Sequence, residues 1–282
     1  MPTMQDDPRT PTSTLGMEKI DPATHPNRIT GDPLAADLSL LGGMWPHRKK
    51  GVGAADFLLM DALNTNYGWK LVGAGVPKLV PDGINGTSAL LFGDGTPELP
   101  ATAEANGAIR FDDLPVLGQA GTVTWVHRIG ALGKGCVWAT IPIVSGFLGC
   151  TITNAGYVEL TLGGPGRIVR RDVPIPGQAA EMWTLGWRPD VNPDGTQVTV
   201  FNVFRNKVRV GAADIRLPQR VVAGRPMIGA HGNAGATPGA PATNLYMGEW
   251  YPDAEDLTTP ANAPRLALRH DRLNWRHQLG LT

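Results

Sequence analysis

The chain has 282 residues, and its 25 basic and 25 acidic side chains give a formal net charge of zero. Nucleic-acid-binding domains carry a clear basic excess, so we expect no nucleic-acid partner. The 8 tryptophans argue for a packed core, and the 36 glycines and 25 prolines, together with short apolar runs, favour an all-β protein with many turns. Residues 47–50 form a tight basic cluster, which we interpret as a solvated loop or a protein-contact patch.

Targeting signals and cysteines indicate the cell compartment in which the protein is made. No run of 18 apolar residues occurs in the sequence, so we expect no membrane insertion. Residues 1–16 are polar and acidic, whereas a signal peptide needs a positive and an apolar segment; we therefore expect synthesis in a cytoplasm. Cys136 and Cys150 lie on neighbouring predicted strands, where the geometry allows a disulfide and a reducing compartment favours two buried thiols.

Residues 1–80 are predicted to form an extended N-terminal arm with short helices. The first 35 residues are rich in Pro, Thr and Asp and show no apolar period, which is typical of a segment that only a partner orders. Apolar side chains recur at helical spacing in residues 34–45 and 54–63, so each segment predicts a short helix. Either helix could dock on the β domain or on a partner subunit.

The middle of the chain has an apolar period of two, which predicts β-strands. In residues 121–129 the apolar side chains share one face with His127, which we interpret as a core histidine. Residues 197–205 are apolar on both faces, as expected where a sheet is covered on both sides. Turn signals at residues 154–156 and 192–195 separate neighbouring strands.

The last predicted element is a helix over residues 264–279. Pro264 suits a first helical turn, and Gly280 suits a helix end. His270 and His277 are seven residues apart and share a face of this helix. We interpret that face as a solvated or interface surface rather than as a metal site.

The order of the middle segments resembles the laminin-G-like, concanavalin A-like jelly roll of lectins and glucanases. A motif such as ALLFGDG, followed by TVTWVHR and later by a Trp strand, is similar to that family's strand order. The resemblance implies two antiparallel sheets packed face to face. We therefore predict an all-β sandwich over 81–260 and a C-terminal helix or tail over 261–282. The similar segments are residues 89–95, 122–128, 152–162, 183–190, 198–207, 227–229 and 245–257.

Catalytic and metal-binding patterns are absent from the sequence. Hydrolases of this fold place two carboxylates on alternate residues of one strand. Here the acids of residues 249–256 are interrupted by Pro252. The six histidines lack zinc spacing, and the oxygen-bearing side chains of residues 190–194 fit turn-forming roles better than a calcium loop. We therefore expect no enzyme activity, no metal and no cofactor.

Two functions fit this pattern. The first is a structural protein of a virus particle, made in the host cytoplasm: a capsid-decoration, head-fibre or tail-associated subunit of a tailed bacteriophage. Its arm would hold other virion subunits in a homo-oligomer, for which a trimer would fit. Candidate subunit contacts are Leu34, Leu38, Leu41, Trp45, Arg48, Lys49 and Trp275.

The alternative is a glycan-binding lectin or adhesin module that recognises a cell surface. Lectins use aromatic side chains beside a few polar groups. For each candidate aromatic residue, packing in the core is the competing explanation. The candidates are Trp138, Tyr157, Trp250 and Tyr251.

Overall fold

A computed structural model gives the fold of most of the chain. The described residues are 41–51, 55–62, 68–72, 75–93, 108–111, 117–130, 135–142, 148–152, 157–162, 166–170, 179–218, 221, 224–229 and 245–282. Predictions for residues 1–40, including Leu34 and Leu38, and for the turn at 154–156 lie outside this part of the chain. The side chain of Cys136 is also outside it, whereas Cys150 is buried in the core.

Seventeen strands are present in the described residues. They are β1 (Lys49–Lys50), β2 (Leu58–Met60), β3 (Gly68–Val72), β4 (Lys78–Ile84), β5 (Thr87–Phe92), β6 (Ala108–Phe111), β7 (Gly121–Ile129), β8 (Gly135–Pro142), β9 (Leu148–Ile152), β10 (Val158–Leu162), β11 (Gly166–Arg170), β12 (Ala180–Val191), β13 (Gln197–Arg205), β14 (Val208–Arg209), β15 (Ile215–Leu217), β16 (Gly224–Ile228) and β17 (Leu245–Asp253).

The strands form two sheets whose described pairings are all antiparallel. The first sheet has the order β1-β2-β3-β6-β16-β8-β9-β10-β11. The second has the order β14-β13-β12-β7-β17-β5-β4, with β15 beside β13. This arrangement confirms the predicted all-β sandwich. The predicted turn at 192–195 connects β12 to β13, where the amide of Asn192 donates to the carbonyl of Thr196.

The core between the sheets is rich in tryptophan. Trp138 of the first sheet meets two tryptophans of the second edge to face, with ring centroids 5.3 Å from Trp125 and 6.0 Å from Trp250. Trp183 stacks on Trp125 at 6.3 Å. Each buried tryptophan removes about 150–250 Å² from water, worth about 4–6 kcal/mol in transfer free energy. The alternating pattern of the sequence therefore identifies the inner face of the second sheet.

The outer face of the second sheet is covered by α1 (Ala263–Arg276), which follows a 3-10 turn (Pro260–Asn262). This confirms the predicted C-terminal helix, which ends three residues earlier than expected because Gln278 and Gly280 adopt left-handed conformations. Leu273 packs in a second apolar cluster that includes Val126 and Met182.

The segment before residue 81 differs from the prediction. The helix predicted over 54–63 is wrong in its described part, because Leu58–Met60 is strand β2 between β1 and β3. Residues 41–45 are extended rather than helical: the amides of Leu41 and Met44 donate to carbonyls of β17. The sandwich therefore includes strands that begin at residue 49, upstream of the predicted boundary.

Another 3-10 turn, Pro46–Arg48, connects this extended segment to β1. It lies at the basic cluster predicted to be a solvated loop or contact patch. Lys50 is exposed there, whereas Lys49 is buried. The amide of Lys49 closes the turn by bonding the carbonyl of Pro46.

Candidate functional site

Strand alternation places a row of polar side chains on the outer face of the second sheet. Trp183, Leu185 and Trp187 of β12 point into the core, so Thr184 and Arg188 face outward. On β13 the same alternation turns Asn202 and Phe204 outward. The register brings the strands together, with Thr184 opposite Phe204 and Gly186 opposite Asn202.

A groove of about 580 Å³ lies between this row and α1. The sheet face forms one side, the helix forms the other, and residues 258–260 contribute at the helix start. Ligand sites in proteins are concave and combine apolar surface with a few placed polar groups. The lining residues are Arg188, Asn202, Phe204, Lys207, Arg209, Asp214, Thr258, Thr259, Pro260, Ala263, Leu266, Ala267, His270 and Asp271.

Arginine and aspartate side chains form a connected network in the groove. Arg188 donates from Nη1 to Asp256 at 2.7 Å and from Nη2 to Asp214 at 2.9 Å. Burial alone would lower the pKa of Arg188, but its bonds to Asp256 and Asp214 outweigh burial and raise that pKa. Arg209 donates to Asp214 at 2.6 Å and also to the amide oxygen of Asn202. Because each member holds the next, the groove is preorganised.

An aromatic surface adjoins this network. The half-buried ring of Phe204 lies 5.9 Å from the ring of His270, centroid to centroid. His270 Nε2 lies 2.8 Å from the hydroxyl oxygen of Thr184. Burial, followed by the nearby charges of Arg269 and Lys207, lowers the pKa of His270 to about 4. The imidazole is therefore neutral at pH 7, and the floor of the groove is aromatic and uncharged at this point.

Buried ion pairs fasten the helix that forms the groove wall. Asp253 of β17 accepts two hydrogen bonds from Arg269, one of them at 3.0 Å from Nη2. Glu249 lies 2.9 Å from Nη2 of Arg276 and 3.2 Å from Nε2 of His277. Burial would raise the pKa of Glu249, yet Arg276, His277 and the Tyr251 hydroxyl together lower it to about 2. The position of α1 therefore depends on charges that no solvent screens.

A bulge in β17 lets the helix end approach the sheet. The register between β17 and β7 shifts between Met247 and Glu249. A Cβ atom on the intervening Gly248 would lie 2.7 Å from Cε1 of His277. Any larger residue at position 248 would therefore push His277 away from the strand, so glycine lets the chain after α1 approach closely.

A second cavity, of about 410 Å³, lies beside the 192–195 turn. Its border carries Asp190, whose carboxylate pairs with Arg216 at 2.6 Å. Both side chains are solvent-exposed, which makes this pair weak. The lining residues are Gln119, Pro189, Asp190, Val191, Gln197, Val198, Thr199 and Val221.

The aromatic residues predicted to bind glycan lie elsewhere. Trp138, Trp250 and Tyr251 have 0% of their surface exposed, so a sugar cannot stack on them in this conformation. Their packing is the competing explanation given above. Tyr157 is half-buried next to β10. None of the four lines the groove. Strand alternation places the two tryptophans in the core, and α1 covers Tyr251.

Of the five predicted subunit-contact residues that the structure describes, four are packed against their own chain. Leu41 is half-buried against the core, and Trp45 is fully buried, with its indole N–H donating to the Tyr251 hydroxyl. Arg48 lies over the Trp45 ring at 5.6 Å, and the ammonium of Lys49 donates to the carbonyl of Gly51. Trp275 differs, since 54% of its surface is exposed on α1.

The groove residues are a set that the sequence patterns did not single out. One signal was present: Asn202 interrupts the apolar run VTVFNVF of residues 198–204. Its meeting with Arg209 and Asp214 depends on the fold of the whole sheet. In the part of the chain that the structure describes, no group of three or more His, Cys, Asp or Glu side chains could hold a metal ion. The described helices include none long and apolar enough to cross a membrane.

Solved structures with a similar fold were found. The Trypanosoma rangeli sialidase in complex with sialic acid has a TM-score of 0.54 and 12% identity over 87% of this chain. Botulinum neurotoxin type C has a TM-score of 0.52 and 12% identity over 83% of this chain. Domain 4 of the extracellular arabinanase AbnA from Geobacillus stearothermophilus, in complex with arabinotriose, has a TM-score of 0.51 and 14% identity over 81% of this chain.

These likenesses extend to the fold alone. The chain spans 35% of the sialidase and 51% of the neurotoxin chain, but its match covers 98% of the arabinanase domain. No protein-family model matches the sequence. No curated protein matches it either.

Proposed function

We propose that this chain is a non-catalytic glycan-binding module whose sugar site is the groove between α1 and the second sheet. One observation carries the proposal. The ring of Phe204 shares a single concave site with the hydrogen-bonding groups of Arg188, Asn202, Arg209 and Asp214. A pyranose or furanose ring offers an apolar face and a rim of hydroxyl groups, so it complements such a site.

The network also lowers the cost of binding. Arg188, Asp214 and Arg209 hold one another through hydrogen bonds of 2.6–2.9 Å before any ligand arrives. Side chains that are already ordered lose little further rotamer entropy, about 0.5–1.5 kcal/mol less for each long side chain. A weak, hydroxyl-rich ligand benefits most from this saving.

Proteins of similar fold support the same proposal. The sialidase was solved with sialic acid, and the arabinanase domain with arabinotriose. The neurotoxin depends on interaction with two ganglioside molecules. The match covers 98% of the arabinanase domain, so that domain is the neighbour whose sugar complex bears most directly on the fold of this chain.

The engagement of two carboxylates beside Arg188 supports the non-catalytic part of the proposal. Asp214 and Asp256 are both hydrogen-bonded to Arg188. Glycoside hydrolysis needs a general acid and a second carboxylate on opposite sides of the scissile bond, whereas these two acids converge on one guanidinium. Incubation with a bound glycan, followed by mass spectrometry, should recover the glycan intact; cleavage that Asp214→Asn abolishes would contradict this part of the proposal.

The test of binding is a glycan array followed by calorimetric titration. We expect Phe204→Ala to weaken binding by about tenfold or more, because stacked aromatic contacts are worth about 1–2 kcal/mol. Trp275→Ala is the matched control, since it removes an exposed aromatic residue outside the groove lining. No binding to any arrayed glycan at millimolar concentration, or equal loss in both variants, would overturn the proposal.

A second candidate function is the structural subunit of a bacteriophage particle, with a laminin-G-like body. One observation favours it. Residues 41–44 run along β17, and Trp45 is buried beneath α1. Residues 41–45 are therefore a firm attachment point for the chain that precedes them. An arm fastened in this way could hold neighbouring subunits in a homo-oligomer.

Deletion of residues 1–40 tests this role. A structural subunit should keep the unfolding temperature of its sandwich but lose co-assembly with its particle or its own oligomeric mass. The measurement is light scattering of the full chain and of the truncated chain at equal concentration. An unchanged mass and unchanged particle association would contradict the anchoring role.

A further inference from the structure

The cations of the groove are already engaged by acidic side chains. Arg188 uses both terminal nitrogens, one on Asp256 and one on Asp214. Arg209 donates to Asp214, and the ammonium of Lys207 pairs with Asp271 at 2.8 Å. The three cations among the described groove residues thus meet two carboxylates of the lining and Asp256, which lies outside the lining.

We infer that the groove selects uncharged oligosaccharides over glycans that carry a carboxylate. This inference rests on the glycan-binding function proposed above and names its ligand class. A sialic or uronic acid is recognised most strongly by a guanidinium that offers two parallel N–H groups to the carboxylate. Each terminal nitrogen of Arg188 already holds one carboxylate of the protein, so a ligand carboxylate would have to share this guanidinium with two acids.

The acids at the groove opening act against an anionic ligand. Asp271 is 67% exposed on α1, and Asp214 is about one-third exposed on the opposite side. A ligand carboxylate would have to approach both negative charges, and like-charge juxtaposition at an interface is a common means of rejecting wrong partners. His270 provides no compensating positive charge at neutral pH.

Neutral sugars can still be held by the same groups. An ionised carboxylate has about four acceptor sites. The two guanidinium bonds to Asp214 leave acceptor capacity for sugar hydroxyl groups. The hydroxyls of Thr258 and Thr259 on the groove lining can either donate or accept. The site therefore offers many hydrogen-bond partners to sugar hydroxyl groups, while its charged side chains are already paired with one another.

The experiment uses matched glycan pairs on the full chain. The probes are lactose with 3′-sialyllactose, and xylotriose with its glucuronic-acid-substituted form, on an array that contains further pairs of this kind. We expect the neutral member of a bound pair to bind at least about tenfold more tightly, the size of one unfavourable charge contact. Phe204→Ala should weaken that binding by about tenfold or more.

Two variants reverse the charge balance. Asp214→Asn removes the carboxylate shared by Arg188 and Arg209. Asp271→Asn removes the partner of Lys207, and because Asp271 is highly exposed this change should not affect folding. Each should improve binding of the acidic member by several-fold at low salt, and 0.5 M NaCl should remove the gain because it screens charges beyond a few ångströms. Asp190→Asn is the control, with the same change of charge on the carboxylate of the second cavity.

The outcomes separate this inference from the proposed function. Equal or tighter binding of the acidic member to the unmodified chain, lost in Phe204→Ala, would overturn neutral selectivity and leave glycan binding intact. An equal gain in Asp190→Asn would also overturn the selectivity argument, because that charge lies outside the groove. Failure of both members of every pair to bind would overturn both the inference and the proposed function.

Discussion

Removal of one partner from the Asp253–Arg269 pair should release the C-terminal helix. Both side chains are almost fully inaccessible, at 0% and 1% exposure. Asp253→Ala leaves the guanidinium of Arg269 buried without this carboxylate. Breaking a buried pair in this way typically costs about 3–5 kcal/mol. For a chain of this size that loss lowers the unfolding temperature by roughly 6–20 °C.

Guanidinium unfolding, followed by tryptophan fluorescence and circular dichroism, measures the loss. The matched control is Glu255→Ala, which removes the exposed partner of Arg265 on the same helix. An exposed pair of this kind contributes at most about 1 kcal/mol. Replacing both buried partners together, as Asp253→Leu with Arg269→Met, should recover most of the stability, because the penalty comes from an uncompensated charge.

The same variants connect stability with the groove. If α1 loosens, glycan affinity should fall in Asp253→Ala and stay unchanged in Glu255→Ala, because α1 forms one wall of the site. A loss below about 1 kcal/mol in Asp253→Ala would refute the reasoning that charges hold the helix. So would a double variant no more stable than the single one.

Three further predictions concern acid, the bulge and the exposed tryptophan. His47 and His270 each have a pKa of about 4 in the folded chain against 6.5 as the reference value, so the stability from keeping them neutral is full above pH 6.5 and is lost as pH falls towards 4. The loss is up to about 3 kcal/mol for each, measured as the urea midpoint between pH 8 and pH 4, and a flat midpoint over this range would contradict it. Gly248→Ala should destabilise the chain by about 1–3 kcal/mol because the new methyl group meets His277. The control is Gly118→Ala, where φ is not positive and a new Cβ would meet no atom closer than 3.8 Å; equal losses in the two variants would contradict the steric argument. If Trp275 is a subunit contact, Trp275→Ser should lower the oligomeric mass seen by light scattering while changing unfolding by about 0.5 kcal/mol or less, and an unchanged mass would remove it from the contact set.

Local patterns in the sequence predict the sandwich well where the strand face on which a residue lies decides whether its side chain is buried. Trp125, Trp183 and Trp187 alternate with outward-facing neighbours, and they occupy the inner face as that alternation requires. The C-terminal helix is likewise predicted by its own spacing and by the glycine after it. In both cases the signal lies within a dozen residues.

Prediction fails where partners distant in sequence decide the structure. Residues 54–63 have apolar spacing that suits a helix, but the pairing of Leu58–Met60 with β1 and β3 supplies backbone hydrogen bonds that local spacing does not reveal. The groove fails for the same reason. Arg188 lies 26 residues from Asp214 and 68 from Asp256, so their meeting follows from sheet register and helix docking.

The attachment of residues 41–45 has a mechanical consequence. The amides of Leu41 and Met44 bond to β17, a strand with neighbours on both sides in the second sheet, and Trp45 lies 5.0 Å from the guanidinium carbon of Arg276. A pulling force applied through the preceding residues would therefore load an interior strand and the C-terminal helix together. Peeling one edge strand at a time would not relieve that load. Under tension, the sheet side and the helix side of the groove should therefore unfold together.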